Sequence, residues 1–339
     1  MHPAHSFSTE PHPAPKPDAM GEAADDPTIP LDAAAYLQRL LAAPRPGADR
    51  VLAFHDHRVG GICTDPRLLL APLDDHLCHR GDGVFESIRY RQRRLFQLDL
   101  HLARLRRSAD AIRLAPPCPW DDLRDRIIAV ARAGGQDEGG IRVLVGRGPG
   151  GFGISPAECP QSSLYIIAWR QTAPPEAWFA AGLDAFRSAM PAHLGPLSGV
   201  KHANYLPNVL MMDEARQRGM DVPLTFDAQG RLSESAIANV ALVDAAGTLA
   251  APEGAGALPG TTLHRIMDLA SSFMPATRRP ITEADILSAR EFLILGTVYE
   301  CASLVRYEGA PIGTGRPGPV AARLREMLRR SLLADGTPF

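Results

Sequence analysis

From Val51 onward the chain alternates short β-branched runs with longer amphipathic ones, and this alternation limits the fold more than any other feature. GIRVLVGRG (140–148) and SSLYIIAWR (162–170) have the length and Val/Ile content of buried strands. DLHLARLRRSADAIRL (99–114) instead repeats its apolar residues with helical spacing: Leu102, Leu105, Ala109 and Ile112 share one face, and Asp99 is a plausible cap. WDDLRDRIIAVARAGG (120–135) is a second such helix, ended by Gly134 and Gly135. Strands and helices mixed in this way must pack in layers, which gives an α+β or α/β fold. At 339 residues the chain can bury two cores.

The proline-bearing QTAPPEAW (171–178) is the expected link between two domains, one spanning 46–172 and the other 173–339. The second half shows LDAFRSAM as a strand and YLPNVLMMDEARQRG as a helix with Pro207 in its first turn. Strands with tight turns at 228–230 and 246–247 follow, then the helix GTTLHRIMDLASSF. EFLILGTVYECASLVRYEGAPIG reads as strand, loop, strand and hairpin, and PGPVAARLREMLRRSLL as a closing helix. Residues 1–30, rich in Pro, His and Ala, are expected to be disordered, with a short helix at 31–43 capped by Asp32 and striped by Tyr36, Leu37, Leu40 and Leu41. The N-terminus has no continuous apolar core and so is not expected to be a signal peptide. Five scattered cysteines without C-x-x-C spacing point to reduced thiols and a cytoplasmic protein. A net charge of −2 gives no reason to expect nucleic acid or a membrane as partner.

Several motifs fail on context. GPGGFG (148–153) satisfies G-x-G-x-x-G, but loop residues follow it where a dinucleotide site needs a helix. His55, His57, Asp74, Asp75, His76 and His79 are metal-ligand types, but no ligand spacing orders them, so structural roles and no metal are expected. No G-x-S-x-G elbow is present.

Of the 36 lysines and arginines, only Lys16 and Lys201 are lysines. Lys16 lies in the proline-rich tail, so the body of the chain carries one amine. Guanidinium cannot act as an amine nucleophile, whereas a desolvated ε-amine can. Composition alone leaves open whether Lys201 is a survivor of codon bias or a chemical necessity. Two further segments bear on this. Gly260, Thr261 and Thr262 open a helix, where free N–H groups attract phosphate, although an ordinary threonine cap has the same pattern. Glu234 sits in a strand-like stretch as a surface carboxylate or as the partner of a protonated ring nitrogen. An amine, an acid and a phosphate cradle together suit pyridoxal 5′-phosphate.

With these residues the chain resembles the fold-type IV (class IV) pyridoxal-phosphate aminotransferase family, which includes branched-chain and D-amino-acid aminotransferases and aminodeoxychorismate lyases. HRGDGVFESIRY, HLARLRRSA, IRVLVGRGPGGF, KHANYLPNVL, GRLSESAIANV, LPGTTLHRI and LGTVYECASLV carry the resemblance in the family's order, over about 51–333. It implies a two-domain fold-type IV enzyme, acting as a homodimer on an amino acid and a 2-oxo acid. Lys201 resembles the cofactor lysine, Tyr205 the residue on the cofactor's phenolic oxygen, and Glu234 the partner of the pyridine nitrogen. Arg104 resembles the phosphate arginine, and Gly260, Thr261, Thr262, Gly296 and Thr297 the rest of the cofactor set. Phe85, Arg142, Arg147 and Val298 match substrate-side positions. Glu86 and Asn239 also match family positions and read as structural. The Lys201–Tyr205 spacing resembles the D-amino-acid and lyase branches, while Arg142 resembles a branched-chain substrate arginine. An aminodeoxychorismate lyase and a catalytically silent pyridoxal-phosphate-binding protein are the alternatives.

Overall fold

The computed structural model describes residues 28–254 and 256–339. Of the stretch expected to be disordered, residues 1–27 lie outside the described residues, as does Lys16. Helix α1 (Ala33–Ala42) begins at Asp32, whose carboxylate accepts from the Ala35 N–H at 2.8 Å. Its expected apolar stripe is not covered: none of its residues is buried.

A six-stranded antiparallel sheet is built in the order β1 (Val51–Asp56), β5 (Ser163–Trp169), β4 (Gly139–Gly146), β2 (Gly83–Arg91), β3 (Arg94–Leu95) and β15 (Thr337–Pro338). Helices α3 (Leu98–Ala111) and α4 (Trp120–Ala133) pack on it, joining Leu98, Leu105, Leu123 and Ile127 to Ile88, Ile141 and Ile166 in one core. Strand β15 lies beyond α9 (Pro319–Asp335), so the last residues return to the first sheet instead of staying with the second half.

The second sheet is mixed. It runs β11 (Ala276–Arg279), β10 (Leu249–Pro252), β9 (Asn239–Val243), β12 (Glu291–Gly296), β13 (Glu300–Tyr307), β6 (Leu183–Arg187), β7 (Val222–Phe226) and β8 (Leu232–Ser235), with β14 (Ala310–Pro311) paired to β13. Its central strand explains the apolar run FLIL. Phe292 and Ile294 enter one core, while Leu293 and Leu295 enter another with α7 (Thr261–Ala270) and α9. A strand buried on both faces has no polar alternation. Glu176–Ala180 forms α5 after the 171–175 link, Leu206–Arg218 forms α6, and Glu283–Leu287 forms α8. The fold is therefore α+β, with two sheets and their helices.

Three local expectations need correction. Asp99 is not the cap of α3; Gln97 takes that place with φ 51°, and Asp99 lies in the first turn. The region of His76 and His79, expected as loop or strand, is the short helix α2 (His76–Arg80), capped by Asp75 and closed by Gly81 at φ 66°. Strand β11 and helix α8 carry no apolar period in the sequence. Among the described residues no helix is long and apolar enough to cross a membrane.

Candidate active site

A cavity of about 220 Å³ lies between the sheets. Lys201, Tyr205, Glu234, Arg104, Gly260, Thr261, Thr262, Gly296, Thr297, Phe85, Arg142 and Val298 all line it. Arg147 does not: its guanidinium is bound to both Asp82 oxygens, at 2.9 and 3.0 Å, and to the carbonyls of Ile112 and Arg113, at 2.9 Å. All three of its nitrogens are thus engaged within the protein, which corrects its expected substrate-side position.

Lys201 is fixed through its backbone. Its carbonyl accepts from Phe85 N at 3.0 Å, and Ala203 N donates to Gly83 O at 2.8 Å, so the segment pairs with the start of β2. The Lys201 N–H donates to Ser108 Oγ on α3 at 3.1 Å. The side chain reaches into the cavity, where Nζ lies 3.0 Å from Tyr205 Oη and 4.4 Å from the Phe85 ring centre. Burial disfavours the ammonium and pulls the amine down to about 8. A substantial neutral fraction near neutral pH makes it a usable nucleophile and base. Burial also pushes the Tyr205 hydroxyl up, and the Glu234 charge adds to that, so Tyr205 stays protonated.

Glu234, on β8, faces the cavity. Burial raises its carboxyl to about 7, against the pull of Lys201 and Arg104. Asn239 Nδ2 is placed to donate to Glu234 Oε2 at 3.1 Å and to Leu258 O at 2.8 Å, which fixes the carboxylate's direction. An acid held in this state gains from a cationic partner.

At the start of α7, Gly260 offers no side-chain cap, and Thr261 and Thr262 are buried. The helix's first N–H groups and positive end thus meet the cavity uncompensated. A Cβ on Gly260 would sit 1.8 Å from Asn239 Oδ1, so only glycine lets backbone and amide approach this closely. Arg104 adds charge. Its Nε and Nη2 grip Glu86 at 2.7 and 2.8 Å, and Nη1 approaches Pro259 O at 3.3 Å beside the helix start. Burial pushes the Glu86 carboxyl upward, yet it is held at about 2 by its cationic neighbours. Burial lowers His101, which donates to Glu86 at 2.7 Å, below the usual histidine range, so at neutral pH Arg104 carries the compensation. The result is an anion cradle braced from behind.

Arg142, on β4, is different. Its Nε is buried without a partner, and burial lowers its basicity. The guanidinium lies 5.0 Å from the Phe85 ring centre and is directly across the strand pair from Ser87. A buried guanidinium with an unpaired N–H awaits an anion. Ser87, Asn208, Ile237 and Ala238 also line the cavity and were missed in the sequence. Ser87 was findable, since it lies two residues after Phe85 on the same strand face. The histidines read as metal-ligand types are otherwise engaged: Arg126 Nη1 lies 3.1 Å from His55 Nε2 and 3.3 Å from His57 Nδ1.

The profile of the family described as Amino-transferase class IV matches residues 83–307, most of the chain and every cavity residue above. The chain belongs to the class IV aminotransferases. A D-amino-acid transaminase (chloroplastic) of Arabidopsis thaliana is 30% identical over 292 residues, covering 83% of this class IV aminotransferase and 77% of its own length. A branched-chain-amino-acid aminotransferase of Salmonella typhimurium is 30% identical over 262 residues, 74% of this chain and 84% of its own. Among solved structures, the Escherichia coli branched-chain amino acid aminotransferase superposes with a TM-score of 0.76 at 26% identity, covering 86% of this chain and 95% of that one. A thermophile (T.th.) branched-chain amino acid aminotransferase with pyridoxamine 5′-phosphate superposes with a TM-score of 0.79 at 25% identity, covering 84% of this chain and 95% of that one.

Proposed function

We propose that this class IV aminotransferase uses pyridoxal 5′-phosphate to move an amino group from an amino acid to a 2-oxo acid. The observation that carries the reading is the Lys201 amine, buried, lowered to about 8 and set between an acid and an anion cradle. The residues fit the cofactor. Lys201 Nζ would hold its aldehyde carbon, Tyr205 its phenolic oxygen and Glu234 its ring nitrogen. Arg104, Thr261, Thr262 and Thr297, with the backbone at Gly260 and Gly296, would hold its phosphate. When bound, pyridoxal phosphate supplies an electron-accepting ring that weakens the Cα–H bond of an amino acid.

The chain's own groups do the rest. Lys201 Nζ, neutral near its shifted pKa, takes the proton from the donor's Cα and returns it elsewhere. Glu234 keeps a positive ring nitrogen favourable. Arg142 receives a substrate carboxylate, which removes the cost of its unpaired Nε, while Phe85 and Val298 bound the side-chain space. We further propose a homodimer, which is supported by the exposed Leu206 and Val209 on α6.

The test is a donor panel: L-leucine, L-glutamate, D-alanine, D-glutamate and aminodeoxychorismate, each offered with a 2-oxo acid acceptor. Transfer from one amino acid supports the reading and names the donor. Pyruvate release from aminodeoxychorismate alone makes the protein a lyase. Cofactor uptake with no turnover makes it a silent binding protein.

A further inference from the structure

The turn that forms one wall of the cavity closes on an unusual residue. Strands β12 and β13 are joined by Thr297–Tyr299, with Gly296 paired to Glu300 at the turn's base. Glu300 has φ 55°. Three-residue hairpin loops commonly place a left-handed residue at this point, but glycine is the residue that adopts it without strain. A glutamate held there persists only where its surroundings over-determine it.

The surroundings do so. Glu300 is buried, with Oε1 accepting from Arg89 Nη1 at 2.8 Å. Its Oε2 accepts from Arg325 Nε at 3.2 Å and Arg329 Nε at 2.8 Å. Arg325 and Arg329 come from α9, in the same half of the chain as the turn. Arg89 comes from β2, in the other sheet. Phe85, Ser87 and Arg89 alternate along one face of β2, and the first two line the cavity. Opposite them stand Thr297 and Val298 of the turn. The Arg89–Glu300 bond thus spans the two walls at the closed end of the same compartment.

We propose that Arg89 and Glu300 are positioning residues that fix the width of the substrate side-chain compartment by tying the 297–299 turn to β2. Neither lines the cavity, so both act through Val298, Thr297 and Phe85. The proposal rests on the reading that an amino-acid side chain enters between those walls. The cofactor cradle is anchored separately, through Arg104–Glu86 and the start of α7.

The test uses the full chain with pyridoxal phosphate, comparing Arg89→Met, Arg89→Lys and Glu300→Gln with wild type. In Arg89→Met, Glu300 keeps both α9 arginines, so the fold is retained even if Glu300→Gln does not fold. Wild type first fixes the ratio of kcat/KM between a large and a small donor; no turnover of any donor would fail the functional reading itself. The proposal expects Arg89→Met to keep the cofactor's absorbance band and to change that ratio about tenfold, the scale on which pocket fit discriminates one methylene. Arg89→Lys should restore part of the ratio. An unchanged ratio in a folded, cofactor-loaded Arg89→Met enzyme overturns the proposal while leaving the functional reading intact.

Discussion

Replacing Glu86 with glutamine tests the brace behind the anion cradle. The Glu86 side chain is 1% exposed and that of Arg104 is 6% exposed, so the pair is out of water. Glutamine keeps the shape and one acceptor oxygen but removes the charge opposing a buried guanidinium. Breaking a buried pair from one side costs about 3–5 kcal/mol. The retained acceptor puts Glu86→Gln near the lower end, about 3 kcal/mol. For a chain of this size that lowers the melting temperature by roughly 5–10 °C. The assay is thermal unfolding of the cofactor-free protein, followed by circular dichroism. Replacing both partners, Glu86→Leu with Arg104→Met, should recover much of the loss, since an apolar pair carries no unpaired charge. That double variant should still hold cofactor poorly, because the cradle has lost its guanidinium. A Glu86→Gln melting temperature within about 2 °C of wild type would refute the reasoning.

Arg142→Met should separate stability from activity. Removing a buried guanidinium with an unpaired N–H should raise the melting temperature, while the lost charged hydrogen bond raises KM about 10–100-fold, from roughly 1.5–3 kcal/mol. Lower stability with unchanged KM would contradict the substrate role. Glu234 has a raised carboxyl, so in the cofactor-free protein its protonated form favours folding. That contribution is complete below its ordinary value of 4.5 and is lost as pH rises through about 7. Glu234→Gln should flatten the stability profile across this window in urea titrations; an unaltered slope would place the titration elsewhere. Gly260→Ala drives a methyl onto Asn239 Oδ1, and should weaken cofactor affinity at least about tenfold in equilibrium dialysis, given how close the approach is.

Much of this was legible because strong periodicity survives in sequence. Strands such as β4 and β5 and helices such as α4 were visible because burial selects their pattern. What was not legible had other causes. Strand β11 (ATRR) exists through its pairing with β10, and its residues lie at the sheet edge. Helix α8 is a single turn held by the Thr282–Asp285 capping box, a signal present in the sequence but without an apolar run to support it. Lys201 stood out because lysine is so rare in this chain. Arg104 did not stand out from Arg106 or Arg107. The choice depends on the rotation of α3, which buries Arg104 and exposes the other two. Its signal is that His101, Arg104 and Ser108 follow helical spacing on the face that carries Leu105. Polar residues on a core face need partners, and here the partners are Glu86 and the Lys201 backbone. Arg142 and Arg147 are equally plausible in sequence, and only the fold assigns Arg147 to Asp82.

The most direct test of the central claim is the visible spectrum of the purified protein with pyridoxal phosphate, for wild type and Lys201→Ala. The account predicts a band in wild type that bleaches when an amino acid is added and returns with a 2-oxo acid, and no turnover in a folded Lys201→Ala. Wild type that forms no band with the cofactor, or a Lys201→Ala variant that turns over like wild type, would contradict it.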